Sequence, residues 1–386
     1  MNEKTFIKDY HTYQKHLWEN LIDGASHDLK KDDAILYNHL SQSKKKKPFI
    51  LQGRIEHHPD VSILLRKLEA FERYDTPAQG LDHARMSQDI LKLMKKRDQL
   101  AKLHNFESYK AMHMDFDDVK EINIKTMLAV LIKKEEKKRQ KLIRKYRITY
   151  DNFFKKLKMI GPRPKHDDAT LIIDKVKRKL QLGSFDKHLK LSISKDHISG
   201  YCQKVGKNDI RLASHPIVSM AQLKTFLHEL SHAIIKVYQD DDTMTQFMRP
   251  QKFEILACVV EQILIDSVCT VTERRHLNNI QVLENARLSI SALFEFDLHD
   301  KRAEPEKLFE SLVRDVFPLD DPKLWVVDSF RTTDALCAQY YPLGHVAALN
   351  LRSIRKLEKI KRKQLGSWLE TNILGRINEI DPATLL

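Results

Sequence analysis

Apolar residues recur at helical spacing along most of the chain. Between residues 223 and 235, Leu223, Phe226, Leu227, Leu230, Ile234 and Ile235 follow one another at that spacing without an intervening Gly or Pro. This predicts a buried or half-buried helix. KFEILACVVEQILID, which begins at Lys252, predicts a second apolar helix. Phe6, Tyr10, Tyr13, Leu17 and Leu21 mark a helical stripe within residues 1–43, and Lys44 to Lys47 with Pro48 mark an exposed turn. Residues 61–73 and 84–104 also read as helices, with Pro59 and Pro77 as punctuation. Leu100, Leu103 and Phe106 are expected to form a buried stripe, and Asn105 a left-handed helix cap. One long helix is expected over 120–158, ended by GPRPK at 161–165, and further helices over 168–181, to about 297, and over 305–316.

The period shortens to two only in LKLSIS at 189–194. SGYCQ and DIRLAS then read as strands with VGKN as their turn. The expectation is a small sheet just before the 223–235 helix, with one free edge to which an extended peptide could add as a strand. The fold class is mainly α, divided at GPRPK into residues 1–165 and 166–386.

The candidate chemistry sits in the 223–235 helix. His228, Glu229 and His232 stand in the order His-Glu-x-x-His. Positions four apart stack on one helix face, so the two imidazoles point the same way. Such a pair can grip one metal ion, and zinc is the default for imidazole and carboxylate donors. Glu229 lies about 100° round the helix, where its carboxylate could take a proton from a water on that metal. The pattern is the metalloprotease signature, which needs a third ligand. A histidine in the extended His-x-x-Gly-x-x-His form is excluded, because Ile235 and Tyr238 occupy those positions. Asp240, Asp241 and Asp242 read as a solvated loop. Glu254 is the first glutamate after the motif and is assigned as the third ligand. Glu261, seven residues on, shares its helix face. It is a candidate to orient a ligating imidazole, the alternative being a rim salt bridge.

This spacing resembles the thimet oligopeptidase and oligoendopeptidase F family of zinc peptidases, and the related carboxypeptidase Taq family. The resemblance implies that His228, His232 and Glu254 bind zinc and that Glu229 is the base. Ile255, Leu256 and Ala257 stand where that family has small and polar residues. Both families carry Arg-x-x-x-Ala-x-x-x-Gly-(aromatic)-x-x-Tyr. Arg97, Ala101, Phe106 and Tyr109 match it, with Asn105 in the Gly place. NDIRLAS resembles the Asp-x-Arg-x-Thr motif of the carboxypeptidase Taq family through Asp209 and Arg211, with Ala213 for Thr. Gly200-Tyr201-Cys202 resembles the oligoendopeptidase strand, while the His-Pro-Phe motif of the carboxypeptidases is not found upstream. The Tyr-rich segment of these peptidases, which gives a phenol to the oxyanion, is matched by ALCAQYYPLGHVAALNLRSI at 335–354. Tyr341 aligns best, Tyr340 second, and His345 could supply another donor. A buried aromatic pair is the alternative. The implied protein is a two-lobed helical zincin with a deep cleft, acting on short or unfolded peptides.

Composition narrows the remaining classes. Gly is scarce at 10 residues, which favours helix. The four cysteines form no Cys-x-x-Cys pair and read as reduced. MNEKTFIKDYH lacks the apolar core of a signal peptide, and no run of 18 apolar residues occurs, so a cytoplasmic, non-membrane protein is expected. The net charge of +14 comes almost wholly from residues 120–180, with 20 Lys and Arg against 7 Asp and Glu. No nucleic-acid-binding motif accompanies that charge, so it reads as a solvated helical face rather than a nucleic-acid footprint. The alternatives to a general peptidase are a non-catalytic module that binds nucleic acid or an acidic partner through this face, and a protease directed at one folded protein.

Overall fold

A computed structural model describes residues 3–43, 48–69, 82–117, 121–183, 185–197, 200–206, 208–238, 250–301, 304–328, 331–332 and 335–350. The expected turn at Lys44–Lys47 and the Asp240–Asp242 loop lie outside them. Helices dominate. In chain order they are α1 (Glu3–Leu21), α2 (Leu29–Ser41), α3 (Pro48–Glu56), α4 (Pro59–Glu69), α5 (His83–Leu103), α6 (Tyr109–Asp117), α7 (Glu121–Lys134), α8 (Glu136–Tyr146), α9 (Phe153–Leu157) and α10 (Ala169–Lys179). After three strands come α11 (Met220–Tyr238), α12 (Pro250–Val268), α13 (Val271–Lys301), α14 (Pro305–Arg314) and α15 (Tyr340–Asn350). The strands β1 (Leu189–Ile193), β2 (Tyr201–Gly206) and β3 (Asp209–Ser214) form one sheet in the order β1-β3-β2. β1 runs parallel to β3 and β2 antiparallel, so β1 and β2 are the edge strands of the sheet.

The chain divides into two compact units. One takes Met1–Lys125 and Ile290–Ala338, the other Thr126–Gln246, Pro250–Ser289 and Gln339–Leu386. A single division at 165/166 does not describe this, because the segment before GPRPK is tied into the second unit. Arg287 of α13 donates to the Tyr150 carbonyl at 3.1 Å and lies over the rings of Tyr150, Phe153 and Phe154. The expected 120–158 helix is three shorter ones. Arg147 adopts φ 52° and ends α8, with the Ile148 amide bonded back to the Ile143 carbonyl. α8 turns Arg139, Leu142 and Ile143 inward and leaves Lys137, Lys141, Arg144 and Lys145 exposed.

In the first unit the Arg97-to-Tyr109 segment grips one carboxylate. Arg97, 1% exposed, donates to Glu56 Oε2 at 2.6 Å and to the Thr332 carbonyl at 2.7 Å. The Tyr109 hydroxyl donates to Glu56 Oε1 at 2.5 Å, and the Tyr109 amide to Asp98 Oδ1 at 2.8 Å. The turn between them closes as expected. Asn105 has φ 67°, and the amides of Asn105 and Phe106 reach back to the carbonyls of Lys102 and Ala101, a Schellman closure. The buried stripe expected there does not form, since Leu103 is 77% exposed and Phe106 half-buried on the turn that reverses the chain. Along α1 the buried stripe passes through Phe6, Tyr13 and Trp18, and leaves Leu21 exposed.

Glu295 is a buried carboxyl in this unit with only part of its hydrogen bonding satisfied. It is 2% exposed and accepts the Leu336 amide at 2.8 Å on Oε1, while Oε2 has no hydrogen-bond partner. Burial pushes its pKa up to about 8, against the pull of Arg331. The folded state therefore holds a proton that an unfolded glutamate, near 4.3, releases, and stability falls as pH rises through that window. In denaturant unfolding, wild type is expected to lose about 2 kcal/mol relative to Glu295→Gln between pH 6 and pH 8. An unchanged difference would mean that Glu295 is ionised in the fold.

Candidate metal centre

The centre lies within the second unit, where α12 packs against both α11 and α15. α11 is apolar on its buried side, with Leu223, Phe226, Leu227 and Leu230 all at 3% exposure or less. That burial fixes the helix rotation and turns His228 and His232 towards α12. On α12, Glu254, Cys258 and Glu261 are spaced four and three apart and so share one face. Glu254 Oε2 lies 3.2 Å from His228 Nε2 and 3.3 Å from His232 Nε2. The ligand atoms of these three residues all fall within 4.8 Å of one another. Two imidazole nitrogens and one carboxylate oxygen converging this closely fit a divalent metal of zinc type, which takes such donors at about 2.0–2.2 Å.

Without an ion, the charges of these groups are matched among themselves. Burial raises a carboxyl pKa, yet His232 and His228 hold Glu254 well below the usual carboxylate range. Burial would lower the pKa of His228, but its contacts with Cys258, Glu254 and Glu261 raise it well above the ordinary value. Glu261, 1% exposed, faces His228 Nδ1 at 3.0 Å through Oε2. Glu261 is thus buried behind the imidazole, not in a rim salt bridge. With Nδ1–H donated to Glu261, Nε2 is the nitrogen left to face Glu254.

Glu229 is half-buried beside the start of β2. A Cβ built on Gly200 would fall 2.8 Å from Glu229 Cγ and 2.5 Å from Thr225 Cγ2, so the strand backbone passes directly over this carboxylate. Burial raises the pKa of Glu229 against the opposing pull of His232 and His228.

α15 is set by a second close approach. A Cβ on Gly344 would lie 2.7 Å from Cys258 Cβ and 3.0 Å from Ile255 Cα, so only glycine lets the two helix backbones meet there. This contact brings the Tyr341 ring to 5.7 Å from the His228 ring. Tyr340 is 2% exposed, whereas Tyr341 is half-buried on the His228 side. His345, also on α15, is buried. Its Nδ1 is bonded to Gln281 and, at 2.9 Å, to Asn285, and its Nε2 is 3.9 Å from Glu261 Oε2.

Neither a family model nor a curated protein matches the sequence. Solved structures do. A protein assigned as oligoendopeptidase F aligns with a TM-score of 0.60 at 13% identity, over 92% of this chain and 82% of that one. PZ peptidase A, solved with an inhibitor, gives 0.58 at 16% identity over 92% and 81%. The M32 carboxypeptidase of Deinococcus radiodurans R1 gives 0.56 at 12% identity over 99% and 92%. The chain has the fold of these peptidases.

Within this peptidase fold, Asp209 and Arg211 pair with each other on β3 at 3.4 Å, and Asp209 also takes Lys190 at 2.8 Å. Asp209 is not among the clustered donors around His228. From sequence, Lys224, Cys258 and Glu284 were given no part in the site, and Gly200 was read only as part of the strand. Spacing could have found two of them. Lys224 stands four before His228, and Cys258 four after Glu254, in otherwise apolar helices. The Cys258 thiol, which burial would raise, is brought below its ordinary pKa by His345 and His228. Titration of chelator-stripped protein with zinc is expected to give one tight equivalent, lost in Glu254→Gln and weakened about 10–100-fold in Glu261→Gln. Wild-type affinity in Glu254→Gln would remove that residue from the donor set.

Proposed function

We propose that the chain is a zinc-dependent peptidase that hydrolyses peptide bonds in short or unfolded peptides. The observation that carries the reading is the position of Glu254 Oε2, 3.2 and 3.3 Å from Nε2 of His228 and His232. The likeness in fold to oligoendopeptidase F and to the M32 carboxypeptidases supports it. In this reading His228, His232 and Glu254 would hold the ion, which would supply Lewis acidity to the scissile carbonyl and to water. Glu229 takes the proton of the attacking water and passes it to the leaving amine. Its pKa, raised by burial, brings this base closer to the working pH, where proton transfer in both directions is most effective. Tyr341, beside His228, donates its phenolic hydrogen to the oxygen that becomes negative in the tetrahedral intermediate.

Glu229→Gln keeps the donor set and removes only the base. It is expected to take up zinc normally and to cleave a mixed peptide library about 10²–10⁴-fold more slowly than wild type. Tyr341→Phe is expected to lower kcat by about 10²–10³ with little change in KM. Gly200→Ala, which drives a methyl group into Glu229, should lose activity while retaining zinc. Cleavage by Glu229→Gln at the wild-type rate, or no cleavage by zinc-loaded wild type anywhere in the library, would sink the proposal.

A further inference from the structure

The structure assigns Lys224 as a positioning residue. Held by Glu284, its ammonium fixes Glu261 in the orientation that presents His228 to the metal. The inference rests on the metal centre proposed above and extends it to side chains beyond those that meet the ion. Lys224 precedes His228 by one helical turn of α11, so the two side chains share a face. Its side chain is 8% exposed, and Nζ lies 3.0 Å from Glu261 Oε1 and 2.9 Å from Glu284 Oε2. Glu261 offers its other oxygen, Oε2, to His228 Nδ1 at 3.0 Å. One carboxylate thus joins an ammonium to an imidazole, one oxygen to each.

The terminal torsion of a glutamate has broad, roughly two-fold wells, so little in the side chain itself fixes the plane of its carboxylate. A second imidazole also competes for Oε2, since His345 Nε2 is 3.9 Å away. The ion pair on Oε1 is what settles the contest for His228. A buried ammonium is costly unless matched by opposite charge. Lys224 has two carboxylates, and the outer one, Glu284, is 26% exposed and within reach of solvent. The row Glu284, Lys224, Glu261, His228 therefore alternates in charge from the surface to the metal. Lys224 touches neither substrate nor ion in this scheme. It acts through Glu261.

Zinc affinity, measured by competition with a chromophoric chelator, tests this on the full chain. Lys224→Met is expected to weaken binding about 10–100-fold, as Glu261→Gln does, because both free His228 from its orienting partner. The double variant Lys224→Met/Glu261→Gln should bind no more weakly than Glu261→Gln alone, since the two residues act in series. Lys224→Arg should recover most of the loss, and Lys224→Met assayed at saturating zinc should regain most of its peptide cleavage. Where Lys224→Met alone fails to fold, Lys224→Gln replaces it and is expected to weaken zinc binding in the same direction, with wild-type affinity in it counting against the assignment. Losses that multiply in the double variant, or wild-type affinity in a folded Lys224→Met, would overturn the assignment while leaving the metal centre intact. Wild-type protein that takes up no zinc would overturn both.

Discussion

Two carboxylates on one face of a buried helix demand positive charge opposite them. An isolated ionised carboxylate in an apolar interior costs far more than a protein fold can spare, and a pair of like sign costs more still. α12 carries such a pair in Glu254 and Glu261. Everything packed around that face answers it. The two imidazoles of α11 meet Glu254, while Lys224 and His228 meet Glu261. The arrangement is balanced at Glu261, where one ammonium and one imidazole share a single carboxylate. At Glu254, where two imidazole nitrogens and one carboxylate oxygen converge, the arrangement fits a divalent cation.

Burial of the centre also requires the backbones to come close. Gly344 allows α15 to lie against the backbone of α12, and Gly200 allows the start of β2 to pass over Glu229. These two glycines do for the walls of the site what the ion pairs do for its floor. They also explain why the apolar Ile255 can stand directly after Glu254. Its Cα and carbonyl oxygen, rather than its side chain, face Gly344, so the position serves helix contact. The first unit solves a similar problem differently. There Arg97 and Tyr109 close on Glu56, and burial pushes up the pKa of Glu295, whose Oε2 has no hydrogen-bond partner.

The sequence made the helices and the donor set legible because both follow from periodicity. Apolar spacing placed α11 and α12, and the four-residue and seven-residue intervals told which polar side chains share a face. The same rule applied one step further would have found Lys224 and Cys258. Asn105 was readable as a left-handed cap because asparagine tolerates that conformation better than most residues. The breaks after Lys134 and Tyr146 were not readable. Arg147 is an ordinary helix former that tertiary context forces to φ 52°, and no Gly or Pro announces the turn. Discontinuous units escaped for a related reason. Arg287 reaches the carbonyl and ring of Tyr150 across 137 positions, which no local pattern encodes.

The fold aligns with solved peptidases at 12–16% identity, while no family model recognises the sequence. The site accounts for this gap. What its geometry requires is few in number: two histidines one turn apart, a glutamate on a facing helix, a second glutamate beside the first histidine, and small residues where backbones touch. Almost every other position needs only to be apolar on one side and to fill its volume, a demand that many residue combinations meet. Even a required position admits a substitute when the physical need is met another way, as Asn105 does where the resembling families have glycine. The elements that orient the donors are freer again. A buried glutamate behind His228 must be fixed by some cation, but that cation can arrive from any helix in reach, and here it is Lys224 on the same helix as the histidine. Recognition by sequence fades as such substitutions accumulate, whereas the convergence of donors that defines the centre does not.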